Sequence, residues 1–144
     1  MNDNQSAEKK MKHLELIANV IERMGNNSYQ LKGWTVTLIT ILSAIAVKEA
    51  DKHIAFLFLV PLITFWLIDS KYLQLERKFR ELYRQVANKD EAGINFSMDI
   101  DSIPVKETKM AYPKCLFSST EAGFYGILTI AAIVIVCIIF EIIK

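Results

Sequence analysis

The chain has almost no surplus of charge. Seventeen Lys and Arg stand against 16 Asp and Glu in 144 residues, a net of +1. No basic surface invites a nucleic acid, so direct DNA binding is not expected. Two cysteines, Cys115 and Cys137, are too few for a disulfide framework, and Cys137 sits in an apolar run where a thiol acts as a small hydrophobe. There is no Walker loop, no dinucleotide-binding glycine pattern and no nucleophile elbow. Only two histidines occur, His13 and His53, one on each side of the membrane in the topology derived below, where they cannot share a metal. Asp99 and Asp101 lack an acid or cationic partner, and the threonines of the apolar segments lack a base. No cofactor is expected, and no enzymatic activity.

What the chain has in abundance is apolar surface. Hydrophobic residues make up 52% and the mean hydropathy is +0.24, a value that soluble domains of this size seldom reach. The expected class is an all-α membrane protein with a single membrane domain over 1–144. It has three transmembrane helices, an N-terminal amphipathic helix, a long extension of the second span and a short β-like segment.

The first 32 residues carry nine charges, which argues against a signal peptide. Met11, Leu14, Ile17, Ala18, Ile21 and Met24 recur at helical spacing, predicting an amphipathic helix over 7–25. Ser6 would cap it and Gly25-Asn26-Asn27 would stop it. It is expected to pack on the rest of the protein, with the lipid surface as its other option.

Three apolar segments follow. Gly33–Val47 and Ile54–Ile68 each hold 15 uncharged residues, short of the roughly 20 that a bilayer needs. Flanking residues extend them to spans over 29–48 and 53–70. A buried soluble hairpin is the alternative. Ala122–Phe140 has 19 uncharged residues and gives a third span over 121–141. Lys32, Trp34, Trp66 and Tyr72 are the expected interface anchors. Pro61 should kink the second span, and could serve as a gating hinge.

Lys and Arg number five before the first span, two in its connector to the second, nine between the second and third, and one after the third. That asymmetry places the N-terminus and the 69–121 region in the cytoplasm, with the C-terminus outside a bacterial inner membrane.

Beyond Asp69 the helical period runs to residue 88. Leu75, Phe79, Leu82 and Val86 form an apolar stripe, flanked by the pairs Glu76–Arg80 and Arg77–Glu81. The stripe needs a partner, either the amphipathic N-terminal helix or a second copy. Residues 94–111 begin with a strict period of two, Ile94, Phe96, Met98 and Ile100, which predicts a strand-like insert. Ser118, Ser119 or Thr120 should cap the third span. On the first span Gly33, Thr37, Thr40 and Ala44 share one face. Small and hydroxyl residues suit either close helix packing or the wall of an oligomeric pore.

Several short stretches carry a resemblance. They are Arg23-Met24 through Asn27-Ser28, Leu31-Lys32-Gly33-Trp34, Phe65-Trp66-Leu67-Ile68-Asp69, Tyr72-Leu73, Glu76-Arg77, Phe79-Arg80, Leu82-Tyr83 and Phe96-Ser97-Met98-Asp99. Together they touch about Arg23 to Asp99, over half the chain. In this order of elements the chain resembles SLATT-type membrane effectors of bacterial antiphage systems. That resemblance implies a homo-oligomer that permeabilises the membrane on activation, answering a cytoplasmic regulatory protein or a nucleotide-derived signal. The chain departs from a minimal two-span unit by its third span. A non-conducting anchor or assembly protein, whose cytoplasmic helices dock a partner, is the other reading.

Overall fold

The computed structural model describes residues 3–49, 57–90, 93–105 and 109–142. They form helices α1 (Asp3–Glu49), α2 (Leu59–Ala87), α3 (Tyr112–Leu116) and α4 (Ser119–Ile142). The architecture is all-helical among the described residues. Two helices are long and apolar enough to cross a membrane, one within Gln5–Lys48 and the other Ser119–Ile139. The segment expected as the second span begins at 53, so its first turn and the connector before it lie outside the described residues. Its described part enters α2.

α1 is one helix of 47 residues, about 70 Å long at 1.5 Å per residue. It does not stop at Gly25-Asn26-Asn27, as the sequence reading expects. Gly and Asn cost at most about 1 kcal/mol each in a helix, and a continuous seam outweighs that. Ile17, Ile21, Met24, Ser28, Leu31 and Thr35 keep one spacing of three and four residues across the gap, and Ile17, Leu31 and Thr35 are buried. Packing on both sides of the weak point holds the helix through it. A Cβ added at Gly25 meets nothing within 4 Å, and its φ is not positive. Gly25→Ala should therefore stabilise the fold by about 0.5–1 kcal/mol, read as a raised thermal midpoint. A lowered midpoint would mean that the position needs glycine.

α2 returns antiparallel to α1, and α4 runs alongside both. Three apolar layers record this. Farthest from the N-terminus, Ala46 of α1 and Phe58 just before α2 meet Ala132 and Ile139 of α4. Next, Ile39 and Leu62 meet Tyr125. At the N-terminal end, Ile17 meets Leu82, Val86 and Ile103. The α2 stripe is thus spent within the chain. Leu82 and Val86 are buried and Phe79 packs beside them, while Leu75 is half-buried. The partner is the N-terminal part of α1. Lys10 adds a polar clamp by donating to the carbonyls of Ala87 (3.1 Å) and Lys89 (2.7 Å), where the α2 C-terminus leaves carbonyls open.

The expected strand is not formed, and nothing between 94 and 100 pairs as a ladder. Its polar residues explain why. Asn95, Ser97 and Asp99 each accept from the backbone N–H two residues ahead, at Ser97, Asp99 and Asp101. Such local turns satisfy the donors that a strand would give its neighbour. Phe96 has φ 53, in the left-handed region that breaks an extended run. The apolar half of the pattern is still used, since Ile94, Met98 and Ile100 cover the Ile17–Leu82–Val86 core.

Large exposed apolar side chains concentrate in one zone, although Met11, Leu16, Tyr83, Phe96 and Phe117 are exposed outside it. Those in the zone include Val36, Leu38, Ile41 and Ile45 on α1, Val60, Ile63 and Leu67 on α2, and Ile127, Ile130, Ile133 and Val134 on α4. All lie in the layers around Ala46 and Ile39. An exposed apolar belt of this extent marks a contact with lipid or with another protein.

Candidate functional site

Between the N-terminal core and the two apolar layers lies a level of buried charge. Each long helix contributes one ionisable residue: Lys32 from α1, Asp69 from α2, Glu121 from α4. The Lys32 ammonium donates to Asp69 Oδ2 at 2.5 Å and to Glu121 Oε1 at 2.9 Å. A third donation goes to Ser28 Oγ at 2.9 Å, completing the ammonium's three donors. Asp69 is fully buried and Glu121 is 1% exposed. The Tyr125 hydroxyl donates to Asp69 Oδ2 at 3.0 Å. Lys32 also lies 5.8 Å and 5.9 Å from the ring centres of Phe124 and Tyr125, a cation over aromatic faces.

Local sequence explains how the groups arrive. Ser118 caps α4: the Glu121 N–H donates to Ser118 Oγ at 3.3 Å, and the order Ser-x-x-Glu is that of a capping box. The Glu121 side chain turns to Lys32. Ser70 donates back to the Trp66 carbonyl and Thr35 to that of Leu31, so both buried hydroxyls are satisfied within their helices.

The cluster is not balanced. One ammonium faces two carboxyl groups, and Asp69 Oδ1 and Glu121 Oε2 are buried without a hydrogen-bond partner. Buried oxygens of this kind are costly unless something neutralises or binds them.

α3 forms the roof beside the cluster. The Trp66 indole donates to the Leu116 carbonyl at 3.1 Å, stacks on Tyr125 at 5.8 Å and meets Phe117 edge-on. Tyr112 donates to the Leu67 carbonyl and Gln74 to that of Met110. Cys115 is buried, and that burial pushes its thiol up from the ordinary range. Arg77 does not pair with Glu81, contrary to the sequence expectation. It donates to the Lys109 carbonyl, while Glu81 pairs with Arg84. The pair Glu76–Arg80 is present at 2.6 Å. Arg77, Arg80, Arg84 and Lys109 line an open cleft of about 460 Å³ floored by Ile103, Pro104 and Met110.

The residues singled out from sequence fall in different places. Lys32, expected at a lipid interface, is the centre of the cluster. Trp66 braces α3 against α4, Trp34 is exposed on α1, and Tyr72 is half-buried on α2. Gly33, Thr37, Thr40 and Ala44 are all exposed, so they do not pack the helices of one chain together. Thr35, Ile39 and Ala46 do that instead. Thr37 and Thr40 donate to the carbonyls of Gly33 (3.0 Å) and Val36 (2.8 Å).

Neither Asp69 nor Glu121 was singled out, although a signal existed. Lys32 precedes the first apolar segment, Asp69 follows the second and Glu121 precedes the third. Antiparallel packing brings those three ends to one level. Comparison with protein families, curated proteins and solved structures gives no match.

Proposed function

We propose that the chain is a three-span protein of the bacterial inner membrane, N-terminus cytoplasmic and C-terminus outside, that works as an oligomeric effector and permeabilises the membrane when activated. The observation that carries this reading is the exposed stripe Gly33–Thr37–Thr40–Ala44. Internal packing leaves it free in the middle of the apolar belt, where small residues let a second copy approach closely. Its hydroxyl oxygens give a ring of copies a weakly polar wall. Two helices are long and apolar enough to cross a membrane; the third crossing is proposed from the exposed apolar side chains of α2, and the resemblance noted above supplies the setting of antiphage defence.

Thr37→Leu and Thr40→Leu test the stripe. Leucine inserts at least as well as threonine, so each variant should reach the membrane and keep its oligomer size. Each should lose the depolarisation that the unmutated protein causes, because bulk and dryness raise the barrier to ions. A membrane-potential dye, followed during induction in bacteria, reads this. Depolarisation that persists with the oligomer intact would mean that ions pass elsewhere.

The basic cleft at Arg77, Arg80, Arg84 and Lys109 favours a second reading, a non-conducting anchor that docks an acidic partner. An unmutated protein that never depolarises, yet loses a bound partner on Arg80→Glu, would move the assignment there.

A further inference from the structure

We propose that the Lys32–Asp69–Glu121 cluster is a proton-binding site, and that the proton it holds latches α4 to the α1–α2 pair. The inference concerns the folded bundle and stands whether or not the chain conducts ions.

Charge and hydrogen bonding lead to it. Lys32 supplies one positive charge, and the two carboxyl groups supply two negative ones if both ionise. Both are buried, and one oxygen of each lacks a donor. A surplus negative charge out of water is costly, and one proton removes it. That proton also provides a donor where the arrangement lacks one, at two carboxyl groups that share the Lys32 ammonium and each keep an unpartnered oxygen. Among the described residues, the donors seen at the site already have partners. Lys32 on α1 has no donor left. Tyr125 on α4 donates to Asp69. Cys115 on α3 makes its contacts with Arg77 and the Lys109 carbonyl.

The two acids are not equivalent. Asp69 Oδ2 accepts from both Lys32 and Tyr125, whereas Glu121 accepts from Lys32 alone. Glu121, with the fewer donors, gains more from a proton of its own, so the proton is assigned to Glu121. The folded bundle then binds one more proton than the unfolded chain near neutrality. By linkage its stability falls as pH rises through the range in which that proton is lost. Deprotonation restores the surplus charge between α4 and its neighbours and loosens α4.

Infrared spectroscopy of the full chain in lipid nanodiscs tests this. The carbonyl band of a protonated carboxyl should be present at neutral pH and disappear on alkaline titration. It should be missing in Glu121→Gln, which mimics the neutral acid. The same variant should keep the wild-type thermal midpoint at neutral pH and lose its downward slope toward alkaline pH. Should Glu121→Gln fail to fold, the wild-type titration still decides. A wild type with no protonated carboxyl at neutral pH would overturn the proposal. So would a band kept in Glu121→Gln but lost in Asp69→Asn, which would put the proton on the other acid. Stabilisation by sodium or potassium ions at fixed pH, abolished in Glu121→Gln, would overturn it in favour of a metal cation.

Discussion

Lys32→Met should be among the most destabilising single substitutions in the chain, lowering stability by about 3–5 kcal/mol. Among the described residues, the ammonium is the one cation hydrogen-bonded to Asp69 and Glu121. Methionine fills much of its volume and keeps the helix, so the loss is electrostatic. Two buried carboxyl groups lose their common donor, and the Ser28 contact goes with it. Burying ions is weak support for stability, but removing one partner of a buried set is costly because the other remains. The triple variant Lys32→Met, Asp69→Asn, Glu121→Gln carries no charge at the site and should recover most of the loss. Thermal unfolding of the single and triple variants, under identical lipid and pH conditions, gives the comparison. A single variant as stable as wild type would show that the ammonium does not hold the helices.

Ile17→Asp should cost several kcal/mol and act locally. Ile17 is fully buried against Leu82, Val86 and Ile103, and a carboxylate placed in that apolar contact loses its hydration. Such a charge regains water by separating the N-terminal part of α1 from α2, which also frees Lys10 from the α2 C-terminus. The layers around Ile39 and Ala46 share no residue with this core and should hold. Hydrogen exchange should therefore rise sharply over residues 10–24 and 79–103, with protection retained over 35–46. A uniform rise along α1 would mean that the two halves unfold as one unit.

Much of the fold was legible in the sequence, because helical periodicity is a local property. The spacing of Leu82 and Val86, and the matching stripe on α1, pointed to the pairing that the bundle uses. The third apolar segment and its serine cap were equally plain, since 19 uncharged residues after Ser-Ser-Thr leave few alternatives. The misreadings came where a local rule met a non-local one. Gly25-Asn26-Asn27 is a local stop signal, overridden by a seam that continues on both sides of it. The alternation from Ile94 to Ile100 is a real record of one buried face. Period two cannot say whether that face meets a strand or a helix pair, and the polar residues had a local use for the backbone donors.

The candidate site was hidden for a different reason. Lys32, Asp69 and Glu121 are 37 and 52 positions apart along the chain, and each alone looks like a charge at the end of an apolar run. Only antiparallel packing makes them neighbours. The small-residue stripe was legible as a pattern, yet its direction was not. Positions 35, 39 and 46 are as small or apolar as 33, 37, 40 and 44, and only the docking of α2 and α4 decides which set is covered.

The proposed permeabilising assembly rests on three crossings of the bilayer, and topology mapping tests that proposal most directly. A reporter that fluoresces only in the cytoplasm should work when fused before Met1 or within 88–93, and stay dark when fused after Lys144. A reporter active only outside should give the reverse pattern. A C-terminal fusion that lights up in the cytoplasm would contradict three spans, and with them the proposed effector.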